Sequence, residues 1–439
     1  MSINDTPRAN RLHIGIFGRR NAGKSTLVNA LTGQNTALVS DEPGTTTDPV
    51  YKSMELHPIG PVVFIDTAGF DDEGELGKLR VERTREALDR TDIGILVIDD
   101  EAAAKMQDHG MSVNGDSEEV QWLRLFEEKN TPVIIAVNQR RAESSAGSCE
   151  CSGSCDADAA DDINTAGHVN NAGAADDAEI PHIVVYINAK AGCGMDELRR
   201  AIEEVIPKDF LRRRILGDMI DDKSLVMLVM PQDIQAPKGR LILPQVQTLR
   251  ELLDKKCTAV SATADGFTRA LDSLNRAPDL IITDSQCFGQ VWEEKPKESA
   301  LTSFSVLFAA YKGDIDIFTK GVSAIDDMTE DSRILIAEAC THVPLTEDIG
   351  REKIPNLLRK RIGSGVQITN VCGSDFPHER ELREFDLIIH CGACMFNRKH
   401  VMNRISAAEH AGVPITNYGV VLAKLTGILD KIELLHSSK

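Results

Sequence analysis

The chain has 439 residues, a length that predicts about three domains with separate cores. Its hydrophobic content of 42% is typical of a globular protein, and no run approaches the roughly 20 apolar residues that span a bilayer. The net charge of -19 disfavours nucleic acid as a partner. The first residues lack a signal-peptide pattern, so we expect a cytoplasmic, reducing location in which the ten cysteines are ligands or thiols rather than disulfides.

The first predicted domain covers residues 1–208. Apolar runs typical of buried parallel strands alternate there with helical stretches, an order that predicts a doubly wound α/β domain. The strand-like runs are RLHIGIF, PVVFID, DIGILVID, TPVIIAVN and IPHIVVYIN. Residues 142–180 interrupt the domain with nine acidic residues and no Lys or Arg, which predicts a flexible insertion. We interpret its Cys149, Cys151 and Cys155 as reduced thiols, with metal binding as the alternative.

A phosphate-binding pattern lies near the start of this domain. Residues 18–25 spell GRRNAGKS, which matches GxxxxGKS and stands between a strand-like run and a helical one. In such a loop backbone N–H groups wrap the phosphates, Lys24 reaches the outer phosphates and the Ser25 hydroxyl is placed to hold Mg²⁺. Asp66 ends the run PVVFID, where its carboxylate can hold a Mg²⁺-bound water, and Gly69 lets its N–H meet a γ-phosphate.

A smaller unit is predicted at residues 209–298 and a last domain at 299–439. The smaller unit places SLVMLVM, TAVSA and PDLIITD around a helix, a βαβ order whose apolar strands need cover from another copy. The charged segment 293–299 is the expected linker. The last domain alternates SRILIAEA, GVQITNV, EFDLIIH and GVPITNYG with helices, which predicts a third α/β sheet.

The last domain carries a set of cysteines and histidines. Cys340-Thr-His342 is followed by 47 residues and then by His390-Cys391-Gly-Ala-Cys394. Both halves follow apolar runs, so a shared edge of one parallel sheet would bring them together. Zinc is satisfied by three thiolates and one imidazole, yet three thiolates equally suit a 4Fe-4S cube with one weakly held iron. One histidine can be a ligand and the other a hydrogen-bond partner of the centre.

Other cysteines have weaker claims to a metal. Cys372 lies between the two halves of the set and also follows a strand-like run, so it is an outside candidate for a ligand. Cys193, Cys257 and Cys287 have no partner at metal-ligand spacing. A free cysteine behaves as a small apolar side chain, and we therefore expect these three to be packed thiols.

Together these motifs resemble the iron-iron hydrogenase maturation GTPases of the HydF family. The likeness rests on GRRNAGKST at 18–26, EPGTTTDP at 42–49, DTAG at 66–69 and the CxH and HCxxC pair, and it covers nearly the whole chain. The resemblance implies a P-loop GTPase domain, a dimerisation domain and a domain that binds a 4Fe-4S cluster. It also implies a homodimeric carrier that accepts a two-iron precursor from radical-SAM maturases and delivers it to apo-hydrogenase.

The resemblance also implies roles for single residues. EPGTTTDP resembles switch I of the TrmE and Era branch of GTPases, where Thr46 would coordinate Mg²⁺ and Asn21 would hold a potassium ion. A residue that simply tolerates the turn is the alternative for Asn21. Lys24, Asp66 and Thr46 are the expected catalytic residues, with GTP and Mg²⁺ as cofactors. The expected nucleotide-binding residues are Gly18, Asn21, Ala22, Gly23, Lys24, Ser25, Thr26, Thr45, Thr46, Asp66, Gly69, Asn138, Ala189 and Lys190.

Residues 139, 141 and 70 depart from the usual GTPase motifs. Guanine-binding proteins use NKxD, whose Asp accepts hydrogen bonds from the base, whereas here Asn138 is followed by Gln139 and, two residues later, by Arg141, which cannot accept them. We expect a weakened guanine preference, although residues 188–190 resemble the SAK element of guanine pockets. Position 70 is Phe where Ras-type enzymes carry a water-orienting Gln, so we expect hydrolysis to be slow or to use another group.

Two other functions stay open at the level of the sequence. One is a TrmE- or Era-type GTPase linked to RNA and bearing a structural zinc, which the acidic chain without a basic module disfavours. The other is a redox-sensing switch in which the state of a cluster gates the GTPase.

Overall fold

The computed structural model describes residues 6–33, 49–70, 74–108, 117–139, 183–231, 241–339, 348–373 and 375–435. The chain divides into two compact units, residues 1–211 and 212–439. Within the described ranges no helix combines the length and the apolar character that crossing a bilayer requires. Several predicted residues lie outside these ranges, namely Thr45, Thr46, Arg141, the insertion 142–180 with its three cysteines, Cys340 and His342.

The first unit is built on a six-stranded sheet. Its strands are β1 (Leu12–Gly18), β2 (Val50–Leu56), β3 (Gly60–Asp66), β4 (Ile93–Ile98), β5 (Val133–Asn138) and β6 (Ile183–Ile187). Its helices are α1 (Lys24–Thr32), α2 (Gly74–Leu88), α3 (Asp100–Asp108), α4 (Glu118–Glu128), α5 (Met195–Val205) and α6 (Lys208–Arg212). The order β2-β3-β1-β4-β5-β6 is parallel except for the antiparallel pair β2 and β3. Strands β1, β4 and β5 are buried along their whole length, as expected when helices cover both faces of a sheet.

All five strands predicted for this unit are confirmed as β1 and β3 to β6. Strand β2 was not predicted, because its sequence VYKSMEL mixes polar and apolar residues and only its last residue, Leu56, is buried. It is an edge strand that pairs with one neighbour, so it does not need the continuous apolar run of a central strand.

The register brings the predicted nucleotide-site residues to one edge of the sheet. Ile16 pairs with Asp66 and Gly18 with Val97, so β1, β3 and β4 end at the same level. Asn138 closes β5 beside Ile187 of β6. The carboxyl ends of parallel strands are the usual ligand-binding edge of such sheets.

The second unit contains two parallel four-stranded sheets, with orders β10-β9-β7-β8 and β12-β11-β13-β14. The first comprises β7 (Leu225–Val229), β8 (Thr258–Ala262), β9 (Leu280–Thr283) and β10 (Ala300–Ser303), and the second β11 (Arg333–Glu338), β12 (Gln367–Cys372), β13 (Leu387–His390) and β14 (Ile415–Asn417). The helices are α7 (Leu243–Asp254), α8 (Phe267–Asp272), α9 (Phe288–Glu294), α10 (Phe304–Lys312), α11 (Ile315–Val322), α12 (Ile354–Ile362), α13 (Glu379–Leu382), α14 (Arg398–Ala411) and α15 (Tyr418–Leu425). The predicted α/β class is therefore confirmed in all three sheets.

Strand β10 lies beyond residue 298, where the sequence placed a domain boundary. It pairs with β9, so the charged segment 293–299 connects α9 to another strand of the same sheet. The chain later returns to β10, where the N–H of Glu433 donates to the carbonyl of Leu301 at 2.8 Å and the hydroxyl of Thr302 donates to the carbonyl of Glu433 at 2.9 Å. The sheet that begins with β7 is thus completed by β10, which lies beyond residue 298 and is hydrogen-bonded to Glu433 near the end of the described chain.

Helix α14 lies next to the predicted thiol site and has well-defined ends. Asn397 caps its first turn by accepting a hydrogen bond from the N–H of His400 at 3.3 Å. Gly412 ends it with φ 72°, a left-handed conformation that glycine adopts without strain. These ends fix the position of Arg404, which is buried in the middle of the helix.

Candidate functional site: a phosphate-binding loop and a thiol-bearing sheet edge

The loop after β1 has the backbone of a phosphate-binding loop. Gly18 has φ 149° and Gly23 has φ 102°, conformations that residues with a Cβ rarely adopt. A Cβ on Gly18 would lie 2.4 Å from the carbonyl oxygen of Val97. Asn21 has φ 60°, in the left-handed region that asparagine tolerates, so the turn alone accounts for the residue type at this position.

Lys24 opens α1 and is buried. Its ammonium donates to the carbonyl oxygens of Gly18 at 2.9 Å and Arg19 at 2.8 Å, so the side chain lies along the loop. The N-terminus of α1 adds the positive end of a helix dipole at the same place. The ammonium and the helix terminus together provide the positive potential that a bound polyphosphate requires.

Asp66 stands across from the start of α1 with 6% of its surface exposed. Burial raises the pKa of this carboxyl, while the hydroxyl of Ser25 and the charges of Lys24 and Lys52 act in the opposite direction. One carboxylate oxygen, Oδ1, is buried and has no hydrogen-bond partner in the part of the chain that the structure describes. A hydroxyl and an unsatisfied buried carboxylate fit Mg²⁺, which prefers oxygen ligands and keeps several of its waters.

Asn138 connects two loops of the site. Its Nδ2 donates to the carbonyl of Ala22 in the phosphate-binding loop at 2.8 Å, and its Oδ1 accepts from the N–H of Ala189 at 3.1 Å. A Cβ on Gly23 would lie 2.3 Å from Nδ2, so that glycine is needed for the contact. Lys190, the next residue along, is exposed. The structure thus brings Asn138 and Ala189 into direct contact.

Phe70 is packed in an aromatic cluster. Its ring stacks on that of Trp122 at 5.4 Å between centroids and 25° between planes, and Trp122 also contacts Phe17 and Phe126. A buried phenyl ring has no atom that could orient a water molecule. This agrees with the expectation that residue 70 does not activate the attacking water.

An ion pair on the phosphate-binding loop was not foreseen from the sequence. Nε and Nη2 of Arg19 donate to the two carboxylate oxygens of Glu119 in α4, and Glu119 is buried. The two residues are 100 positions apart. The available signal was an arginine inside the loop, together with a glutamate in the first turn of an otherwise apolar helix face.

The predicted thiol site lies at the carboxyl edge of the sheet β12-β11-β13-β14. Ala337 of β11 pairs with His390 of β13, and the N–H of Cys391 donates to the carbonyl of Ala337 at 2.9 Å. The Cys391 sulfur accepts from the N–H of Ala339 at 3.0 Å and from that of Ala393 at 3.4 Å. Ala339, the last described residue before Cys340, thus contacts this sulfur through its backbone.

The CxxC segment turns sharply and exposes its second thiol. Ala393 has φ 49°, a left-handed conformation that reverses the chain between the two cysteines. Cys394 is exposed and Cys391 is half-buried. Two backbone N–H groups directed at one sulfur favour its thiolate form, which is the form that binds iron or zinc. The donor set therefore fits a thiolate-bound metal centre.

His390 is not available as a ligand in this arrangement. Its Nδ1–H donates to the carbonyl of Cys391 at 2.8 Å, and its Nε2 accepts from Arg404 at 3.1 Å. Complete burial, with a smaller contribution from the neighbouring charge of Arg404, lowers the pKa of His390 to about 3. With both ring nitrogens engaged, the neutral imidazole holds the turn that begins at Cys391, and as placed here it has no ring nitrogen left either to bind a metal or to hydrogen-bond the centre.

Four further cysteines have a described position. Cys372 lies between Arg351, whose guanidinium donates to the sulfur at 2.8 Å, and Glu338, whose carboxylate accepts from the thiol at 3.3 Å. Cys257 and Cys287 are buried as expected, but Cys193 is exposed, so the packed-thiol prediction is wrong for it. Among the residues with a described position, no three metal-binding side chains cluster together.

Three family models match the chain. A 50S ribosome-binding GTPase model matches residues 13–139. A hydrogen maturase F dimerization domain matches residues 215–313, and a hydrogen maturase F tetramerization domain matches residues 316–433. The three matches correspond to the three sheets.

Curated proteins and solved structures are similar to parts of the chain. GTPase Der of Wolinella succinogenes is 45% identical over 91 residues, 20% of this chain and 19% of that protein. The tRNA modification GTPase MnmE of Legionella pneumophila (strain Paris) is 29% identical over 249 residues, 55% of this chain and 46% of that protein. The chain thus spans less than half the length of these relatives. Era of Aquifex aeolicus bound to GDP and aluminium fluoride has 15% identity and a TM-score of 0.30, covering 57% of this chain and 92% of Era.

Proposed function

This chain belongs to the hydrogen maturase F family, and we propose that it is a GTP-hydrolysing scaffold that holds a 4Fe-4S cluster and delivers a two-iron precursor to apo iron-iron hydrogenase. The observation that carries the proposal is the occurrence, in one chain, of a phosphate-binding loop and of a thiol turn whose Cys391 sulfur accepts two backbone N–H groups. Radical-SAM maturases are the proposed source of the precursor. We propose three domains, at residues 1–208, 209–298 and 299–439, with β10 of the last domain completing the sheet of the middle one.

Nucleotide hydrolysis is supported by the geometry around Lys24. The ammonium and the N-terminus of α1 would neutralise the outer phosphates, while Ser25 and Asp66 would hold Mg²⁺, which supplies further positive charge to the transferred phosphoryl group. The relatives named Der and MnmE are GTPases, and we propose the same activity here. The proposed roles of Thr45 and Thr46, and of Asn21 as a potassium ligand, rest on the sequence motifs.

Cluster binding is supported by the edge on which Cys391 and Cys394 lie. We propose that Cys340 joins them, because Ala339 already contacts the Cys391 sulfur through its N–H. Three thiolates leave one iron of a cube without a protein sulfur, and a weak or exchangeable ligand at that iron suits a carrier. Because His390 is engaged inside the protein, His342 is the remaining candidate for an imidazole ligand.

Self-association is supported by the family matches, which are to a dimerization and a tetramerization domain. We propose that the working form is a homodimer or a pair of homodimers. Presentation of two identical thiol sites in one assembly would allow one site to load while the other engages a hydrogenase.

One experiment tests the delivery function. The protein is purified anaerobically, its iron, sulfide and zinc contents are measured with its absorption spectrum, and the loaded protein is mixed with apo-hydrogenase in a hydrogen-evolution assay. We expect about four irons per chain in the 4Fe-4S cluster itself, not counting the two-iron precursor, and activation of the apo-hydrogenase by the protein that carries the precursor. Stoichiometric zinc with no activation would instead indicate a structural zinc site in a GTPase, and an intact cluster whose redox state changes hydrolysis without any activation would indicate a sensor.

Guanine preference should be weaker than in GTPases with an intact NKxD motif. The pair at Asn138 and Ala189 is in place, but Arg141 cannot accept the hydrogen bonds of the guanine edge. Competition of GDP and ADP for a fluorescent GDP analogue measures the preference. We expect a GDP preference well below about 1,000-fold, which corresponds to about 4 kcal/mol. A larger ratio would show that another residue supplies the acceptor.

Replacement of His390 should act on stability rather than on metal content. His390→Ala removes two internal hydrogen bonds and leaves the Arg404 guanidinium without one of its acceptors, a loss of about 2 kcal/mol in the free energy of unfolding. Thermal unfolding and iron analysis of the reconstituted protein measure the two effects. His410→Ala, on the exposed end of the same α14, is the matched control and should change neither. Loss of iron in His390→Ala with unchanged stability would make His390 a ligand after all.

A further inference from the structure

Helix α4 presents one buried face to the nucleotide site. Glu119, Trp122 and Phe126 lie at positions i, i+3 and i+7, a spacing that places them on the same side of a helix. Glu119 is only 3% exposed and Trp122 only 5%. A nearly buried carboxylate at the end of an aromatic stripe is unusual unless a cation reaches it.

The cation that reaches Glu119 comes from the phosphate-binding loop. Nη2 of Arg19 lies 3.1 Å from Oε2 of Glu119, and Nε of Arg19 contacts Oε1, so the pair is bidentate. Nη2 also lies 3.5 Å from Glu118. The carbonyl of the same Arg19 accepts from Lys24 at 2.8 Å. The loop is therefore held at this residue from two sides, by Lys24 through the backbone and by Glu119 through the side chain.

The aromatic part of the same face holds a second segment of the site. Phe70, which stacks on Trp122, directly follows Gly69 of DTAG. Phe17, which directly precedes the first glycine of the loop, packs on Trp122 at 5.4 Å and edge-on against Phe126 at 5.2 Å. Stacked and edge-to-face rings of this kind are mutually stabilising, so Trp122 fixes where DTAG ends.

We propose that Glu119 and Trp122 are positioning residues of the nucleotide site that act on different parts of the substrate. Glu119 acts through Arg19 on the loop that holds the phosphates common to GDP and GTP. Trp122 acts through Phe70 on the segment whose Gly69 N–H would meet the γ-phosphate, which GDP lacks. The inference rests on the proposed GTP hydrolysis. It assigns the affinity for GDP and GTP to Glu119, at one end of the helix face. It assigns the hydrolytic step to Trp122, further along the same face.

Variants of Glu119 and Trp122 should differ in whether they change nucleotide affinity or the rate of hydrolysis. Glu119→Gln keeps the shape of the side chain and removes its charge. It should weaken the binding of GDP and of a non-hydrolysable GTP analogue alike, with an increase of about tenfold in each Kd. Trp122→Ala should leave the Kd for GDP within about twofold and lower kcat by about tenfold. Trp122→Phe keeps an aromatic ring against Phe70 and should restore most of kcat. A merely structural role would not divide the effects in this way.

Double variants test whether the residues act through their partners. If Glu119 acts through Arg19, the variant with both Arg19→Gln and Glu119→Gln should bind nucleotides no more weakly than either single variant. In the single variant Arg19→Gln the buried carboxylate of Glu119 loses its partner, which can destabilise the fold. The double variant has no such unpaired charge, so its nucleotide affinity can still be measured if that single variant fails to fold. In the same way, Phe70→Ala should add little to Trp122→Ala. Lys105→Ala, which breaks the exposed pair of Lys105 with Glu101 on α3, is the control and should match the wild type.

The outcomes distinguish this inference from the proposed function. A wild-type protein that neither binds GDP nor hydrolyses GTP overturns the proposed function itself. A wild type that hydrolyses GTP, combined with additive effects of Arg19→Gln and Glu119→Gln, overturns the assignment of Glu119. Loss of GDP affinity in Trp122→Ala as large as its loss of kcat overturns the assignment of Trp122.

Discussion

Replacement of Lys24 by alanine should reduce nucleotide hydrolysis by at least about 100- to 1,000-fold in kcat. The ammonium of Lys24 is buried among the carbonyls of the phosphate-binding loop, so a water molecule cannot replace its charge at the outer phosphates. Charge that develops on the transferred phosphoryl group would then be stabilised only by the helix terminus and by Mg²⁺. Phosphate release from GTP under saturating Mg²⁺ is the measurement.

The control for this variant must report folding as well as activity. Lys105→Ala removes an exposed lysine from α3 of the same unit and should hydrolyse GTP like the wild type. Thermal unfolding of both variants shows whether the loss of the Lys24 contacts to Gly18 and Arg19 disturbs the fold. Hydrolysis at the wild-type rate in Lys24→Ala would remove the first domain from the mechanism.

Replacement of Cys391 or Cys394 by alanine should remove the iron-sulfur cluster and the activation of apo-hydrogenase together. The proposed 4Fe-4S cube would have three protein thiolates, from Cys340, Cys391 and Cys394, so the loss of one would leave two irons without protein sulfur. The two cysteines are also unequal. Cys391 is half-buried and accepts two N–H groups, whereas Cys394 is exposed, so Cys394→Ala should fold like the wild type.

Iron and sulfide contents after anaerobic reconstitution decide this prediction, read beside electron paramagnetic resonance of the reduced protein. Cys193→Ala is a suitable control, because Cys193 is another exposed thiol but lies in the first unit. It should retain full iron. Full iron in both Cys391→Ala and Cys394→Ala, or stoichiometric zinc in the wild type, would contradict the carrier function.

The sequence predicted the central strands of all three sheets and missed two edge strands, β2 and β10. Central strands such as β4 and β5 are buried on both faces, so their residues are apolar without interruption and the pattern is visible. Strand β2 is half-exposed, and β10 has four residues next to a charged segment. Neither carries enough apolar residues to distinguish it from a loop.

The candidate site divides in a similar way. Lys24, Ser25 and Asp66 belong to motifs whose spacing reflects a backbone shape, so the sequence placed them together. The states of other side chains depend on partners from distant elements. Arg404 reaches His390 from a helix 14 residues later, and Glu119 reaches Arg19 across 100 residues. No local pattern encodes such contacts.

The position of Asn138 has a thermodynamic consequence. The side-chain amide of Asn138 hydrogen-bonds Ala22 of the phosphate-binding loop and Ala189 of the loop that follows β6, where we expect the base to bind. An ordered conformation of either loop therefore favours an ordered conformation of the other. By linkage, any factor by which inorganic pyrophosphate raises the affinity for guanosine through this amide equals the factor by which guanosine raises the affinity for inorganic pyrophosphate. A whole nucleotide therefore gains from both halves of the site at once, and a base that fits badly weakens the hold on the phosphates as well as on itself.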